Sequence, residues 1–147
     1  MRTKKVIIIG LKSGLFMGIT LFIAGAVASR IIYGPQFAPE GKFEPSQMNP
    51  FYFIWTKLLI GSFFGLLFSA VYELLPISKR INSCMQGLKY GFFFWLVITL
   101  WDLSHPLIYG SINTQNQLFW LIYSLFGFLG FGFMFGHLYS KMNRTSN

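Results

Sequence analysis

Four runs of apolar residues, each long enough to cross a lipid bilayer, constrain this chain more than any other feature. A spanning helix needs about 20 mostly apolar residues. The runs from about Val6 to Ile32, Phe51 to Leu75, Met85 to Ile108 and Leu118 to Met142 each supply them. They are continuous rather than alternating, which argues against a β-barrel. Together they use most of the 147 residues and leave no room for a soluble domain. The expected fold is therefore an all-α, integral-membrane four-helix bundle. It forms one transmembrane domain over residues 1–147, with an outer loop of about residues 33–49.

The charges agree with that reading. Only 11% of the residues are charged, less than half the roughly one quarter of a soluble domain. The formal net charge of +8 does not point to nucleic acid, because the basic residues sit at the ends of apolar runs rather than in one patch. Arg2, Lys4, Lys5, Lys79, Arg80, Lys89, Lys141 and Arg144 fall on one side, against Arg30 and Lys42 on the other. The basic side is normally cytoplasmic, so both termini are expected there, in a multi-pass protein of the cell (inner) membrane. The start MRTKK with Ala26-Val27-Ala28 also has a signal-peptide look. The apolar run is long for a signal and is interrupted by Lys12, so a retained first helix is expected.

Local signals fit between the spans. Pro35, Pro39 and Pro45 predict an irregular outer loop. Pro50 is suited to a helix first turn, where its missing N–H costs nothing. Cys84 is the single cysteine, so no disulfide within the chain and no CxxC redox pair can form. Asn143-Arg144-Thr145 matches a glycosylation sequon, but it would lie on the cytoplasmic side.

The chain also echoes itself. Gly10–Phe16 reads GLKSGLF and Gly87–Phe93 reads GLKYGFF. Gly65, Ser69 and Tyr72 are followed 67 positions later by Gly132, Gly136 and Tyr139. Both halves start on the same side, so the pattern points to a parallel 2+2 repeat of helix hairpins. Small residues four apart share one helix face, and in lipid such faces let backbones approach closely. Gly10, Gly14 and Gly18 form one such stripe, Gly61 and Gly65 with Ser69 a second, and Gly132 with Gly136 a third. They suit packing within one bundle, or association between copies.

Intramembrane charge costs about 3 kcal/mol on insertion scales and asks for a partner or a water path. Lys57 and Asp102 lie at similar depths in the second and third spans, which predicts a pair in the outer half. Independent snorkelling of both side chains is the alternative. His105 follows Asp102 by one turn on the same face, just before Pro106, where a helix tends to end. Lys57, Asp102 and His105 form the candidate polar site. Glu73 and Lys12 mark the inner end, Lys12 lying well around the helix from the Gly10 face. His137 belongs to the inner end of the last span, so it and His105 cannot share a metal. No metal site, cofactor or catalytic residue is expected, and no Walker, GxGxxG, HExxH or GxSxG motif is present.

The segment Gly65–Gly110, with VYELLP, GLKYG and DLSHPLIYG, resembles small bacterial inner-membrane proteins of the YagU type. The resemblance covers about a third of the chain and implies a small integral inner-membrane protein, with no residue roles. Small multidrug transporters have a similar size, but their hallmark is a buried glutamate in the first helix, where this chain has Lys12. The expected role is a non-enzymatic accessory or scaffold subunit. Its partners would be the lipid bilayer and either another copy of itself or another membrane protein. The alternative is a small transporter or channel using Lys57, Asp102 and His105.

Overall fold

The computed structural model describes residues 2–34, 50–74, 83–109 and 114–144. Four helices account for them: α1 (Arg2–Tyr33), α2 (Pro50–Leu74), α3 (Cys84–Tyr109) and α4 (Thr114–Arg144). Residues 35–49 of the outer loop, Lys79 and Arg80 lie outside the described residues.

Their ends follow from local chemistry. Pro50 opens α2, where the absent N–H would have had no helical acceptor. Ser83 precedes α3, and its Oγ accepts a bond from the Gln86 N–H at 3.4 Å, a weak N-cap. Gly34 closes α1 with φ +86°, its N–H reaching the Arg30 carbonyl at 3.1 Å. Only glycine enters that left-handed conformation without cost. α1 starts four residues before the expected Val6, and α4 starts four before the expected Leu118. The polar flanks Arg2–Lys5 and Thr114–Gln117 thus continue the helices beyond their apolar runs. α3, expected from about Met85 to Ile108, runs Cys84–Tyr109 and carries Pro106 within its last turn. Proline at that position has no N–H to offer the Asp102 carbonyl.

The helices run alternately up and down. Gly10 faces Gly65 and Ser69, Gly14 faces Gly61, and Gly18 faces the Lys57–Leu58 backbone, so α1 and α2 are antiparallel. α3 and α4 cross in the same manner, with Gly87 against Gly132 and Gly136, and Gly91 against Phe128. At both crossings the atoms nearest an added Cβ are mostly backbone, so the glycines set the interhelix distance. α1 also packs on α4, with Gly25 beneath the Tyr123 ring, Leu21 against Gly127 and Thr20 against Gly130. The chain termini lie at one end of the bundle, called here the terminal end. The other is the far end.

The interior is aromatic. Phe64, Phe68 and Tyr72 on α2 meet Phe131, Phe135 and Tyr139 on α4, two ladders with a spacing of about one turn. Tyr72 and Tyr139 touch edge to face at 5.0 Å, Tyr72 and Phe135 at 5.1 Å, and Phe68 and Phe131 at 5.4 Å. These separations suit the ring quadrupoles. Tyr72, Phe131, Phe135 and Tyr139 have no solvent exposure at all. Tyr90 of α3 joins them, its ring 5.1 Å from Tyr72 and its hydroxyl donating to the Phe68 carbonyl at 2.8 Å.

α2 and α3 meet through these rings and have no backbone seam comparable with the other three. Comparing positions 77 apart on α1 and α3, and 67 apart on α2 and α4, gives the reason. Ser13 and Met17 of α1 correspond to Tyr90 and Phe94 of α3. Gly127 and Gly130 of α4 correspond to Ile60 and Phe63 of α2. Gly127 and Gly130 let α1 close on α4, and rings hold α3 away from α2. Phe94 fills part of the gap, 4.2 Å from Phe68.

The outward faces are also apolar. Ile7, Leu15, Ile23, Leu59, Phe63, Leu67, Leu100 and Trp101 are all exposed. A helix that is hydrophobic all round belongs inside a large core or in a membrane. Three helices are long and apolar enough to cross one, over Lys4–Ile32, Ile54–Tyr72 and Asn116–Met142.

Candidate functional site

Polar side chains in apolar helices are normally quenched by their own backbone, and several here are. Thr20 Oγ1 donates to the Phe16 and Met17 carbonyls at 3.1 and 2.9 Å. Ser69 Oγ donates to the Leu66 carbonyl at 2.9 Å, and Thr56 Oγ1 to the Tyr52 carbonyl at 2.7 Å. Ser124 makes the same kind of bond to Trp120 at 2.6 Å while accepting from Trp95 Nε1 at 3.1 Å, which ties α3 to α4. Ser13 differs, because its fully buried Oγ has no partner.

The far half holds what remains. Lys57 is half-buried on α2, in the stretch whose backbone Gly18 approaches. Its ammonium lies 4.8 Å from the centre of the Tyr123 ring. That distance is within cation–π range, where the ring's negative face attracts a cation. The Tyr123 ring is buried, stacked on Phe119 at 5.6 Å, and fits beside α1 because position 25 is glycine. Lys57 therefore joins three helices through one ring. The sequence reading did not single out Tyr123. A basic residue in α2 with a tyrosine at the matching depth of α4 was the signal available.

Asp102 is exposed on α3, beside exposed Leu100 and Trp101. It occupies the position that corresponds to Gly25 of α1. His105 lies one turn further along α3, and its side chain lies outside the described residues. The structure thus brings Lys57 together with Tyr123 and leaves Asp102 facing outward.

At the terminal end, Lys12 is exposed on α1, and the side chain of Glu73 lies outside the described residues. Half-buried Cys84 opens α3, its Sγ 4.0 Å from Nδ1 of the exposed His137. Among the described residues, no group of three His, Cys, Asp or Glu side chains could hold a metal. The far half can hold a cation on an aromatic face.

One consequence is testable by stability alone. Tyr123→Phe keeps the ring face and is expected to leave unfolding unchanged, whereas Tyr123→Leu loses about 1–2 kcal/mol. Chemical unfolding in detergent micelles, repeated in a Lys57→Met background, measures it. Equal losses for Leu in both backgrounds would mean the cation contributes nothing.

No protein-family model, no curated protein and no solved structure matches this chain.

Proposed function

We propose that this chain is a multi-pass protein of the cell (inner) membrane acting as a non-enzymatic accessory or scaffold subunit within the bilayer. All four helices span in this reading, α3 included. Its 26 residues would rise about 39 Å at 1.5 Å per residue, enough for a hydrocarbon core of about 30 Å. Both termini face the cytoplasm, on the strength of the basic residues at the terminal end. The chain consists of two copies of one helix hairpin. The equivalent crossings Gly10–Gly65 and Gly87–Gly132 support the duplication, as does the meeting of Tyr72 with its counterpart Tyr139.

The observation that carries the functional reading is the closed aromatic core. A conduit needs polar groups and water along its axis. Here the terminal half of the axis is filled by Tyr72, Phe131, Phe135 and Tyr139, each without exposure. The partner would be a second copy or another membrane protein, reached through the exposed apolar faces. A small transporter is the second reading, favoured by the half-buried Lys57 ammonium on the Tyr123 ring.

Cysteine accessibility separates the two. In a Cys84→Ser background, Ser13→Cys, Met17→Cys and Thr99→Cys are expected to resist a membrane-impermeant maleimide from either side. Position 147 carrying a cysteine reacts from the cytoplasmic side only. Reaction at position 13 or 17 in the intact membrane would overturn the scaffold reading in favour of transport.

A further inference from the structure

A groove runs down the outside of the α1–α4 seam in the far half. Ala24 and Ala28 form its floor, and exposed Ile23, Val27 and Ile31 stand along one wall with Phe126 opposite. Thr20 closes the bottom, and its hydroxyl is already committed to its own helix, so the lining is entirely apolar in effect. The volume is about 360 Å³, within the range of small-molecule sites.

We infer that this groove holds one acyl chain of an anionic glycerophospholipid of the far leaflet, with Arg30 on its phosphate. The inference rests on the membrane reading proposed above. Three observations select that occupant. From Thr20 to Ile31 the groove extends about 16 Å at 1.5 Å per residue, about half of a 30 Å hydrocarbon core. That is the depth of one leaflet, and so of one acyl chain. The groove is partly open, with Ile23, Val27, Ile31 and Phe126 exposed on the outer surface of the bundle. Arg30 precedes the lining residue Ile31 and is exposed in the last turn of α1, at the level where a headgroup phosphate would lie. A guanidinium matches a phosphate in charge and in bidentate geometry.

The groove is also specific to one side of the molecule. In the register that relates the two hairpins, Ala24 and Ala28 correspond to Trp101 and His105, and Ile122 corresponds to Trp55. The small floor positions of this groove thus have no small counterparts in the second hairpin. A general need to pack against lipid would not distinguish the two hairpins, whereas a bound chain needs the small floor on one of them.

The test uses the full chain in phosphatidylcholine vesicles containing a trace of phosphatidylglycerol with a diazirine near the end of one acyl chain. After irradiation, peptide mass spectrometry maps the adducts. They are expected to concentrate on Ile23, Val27, Ile122 and Phe126 over the equally lipid-facing Leu59, Phe63 and Leu96. Ala24→Phe with Ala28→Leu fills the floor and lowers the groove adducts by about tenfold, with helix content checked by circular dichroism. Arg30→Gln leaves the groove open and lowers the preference for phosphatidylglycerol over a diazirine-bearing phosphatidylcholine by about fivefold, the effect of about 1 kcal/mol for one basic residue near the surface. Adducts spread evenly over all lipid-facing residues would overturn the site. So would a Val27→Cys, Cys84→Ser chain that oxidises to a dimer while its groove stays unlabelled, since the occupant would then be a second copy. No adducts anywhere, with the chain extracted from membranes by alkaline carbonate, would instead remove the membrane reading itself.

Discussion

Gly65→Ile separates α1 from α2 and destabilises the bundle by about 3 kcal/mol or more, the upper end of overpacking costs. An added Cβ at Gly65 meets the Gly10 carbonyl oxygen and the Gly14 Cα and N, all backbone atoms. A flexible side chain could rotate away from the intruder, but backbone can only move with its helix. The same substitution at Gly132, 67 positions later, drives a side chain into the Gly87 backbone at the α3–α4 crossing. It is expected to cost about as much. Ala70→Ile serves as the control, because Ala70 is exposed on α2 and an outward-facing change should stay within about 0.5 kcal/mol. Unfolding by sodium dodecyl sulfate in mixed micelles, followed by circular dichroism, reads all three. If Gly65→Ile and Ala70→Ile unfold together, the crossing is not where the glycines act.

Phe135→Ala has the next largest effect, a loss of about 2–3 kcal/mol in the same assay. In water a buried phenylalanine lost to alanine costs about 3–5 kcal/mol, as a transfer term plus a cavity term. In a bilayer the transfer term nearly vanishes, because lipid tails are as apolar as the core. What remains is dispersion and ring geometry. Phe135 contacts Tyr72, Tyr90, Phe131 and Tyr139 at 5.1, 5.8, 5.4 and 5.6 Å. Truncating it leaves a void bordered by four rings that are fixed by other neighbours. Phe63→Ala is the contrast, since that ring is 65% exposed and its loss should be near neutral. Equal losses at both positions would mean that ring area alone, and not packing, governs stability.

These contrasts mark where the sequence was readable. The four helices could be read from the length of their apolar runs, and the start of α2 from Pro50, because a proline in the first turn is local chemistry. Spacing of four puts Gly10, Gly14 and Gly18 on one face, and that periodicity survives in any apolar background. The environment of Lys57 could not be read in this way. Depth along two helices suggested Asp102 as a partner, but depth says nothing of distance across the bundle. The groove was equally hidden: Ala24 and Ala28 are ordinary residues in an apolar helix until Phe126 of another helix stands opposite them.

The bond from the Tyr90 hydroxyl to the Phe68 carbonyl has a consequence for how the two hairpins stay aligned. Stacked and edge-to-face rings set how closely α2 and α3 approach, but a ring surface is nearly smooth along the helix axis. Such contacts change little if one helix slides by an ångström against the other. A hydrogen bond of 2.8 Å does not tolerate that shift. Tyr90 therefore acts as a latch on height: it fixes how far α3 stands along the bundle axis relative to α2. With it rides the level at which Asp102, three turns further along the same rod, meets its surroundings.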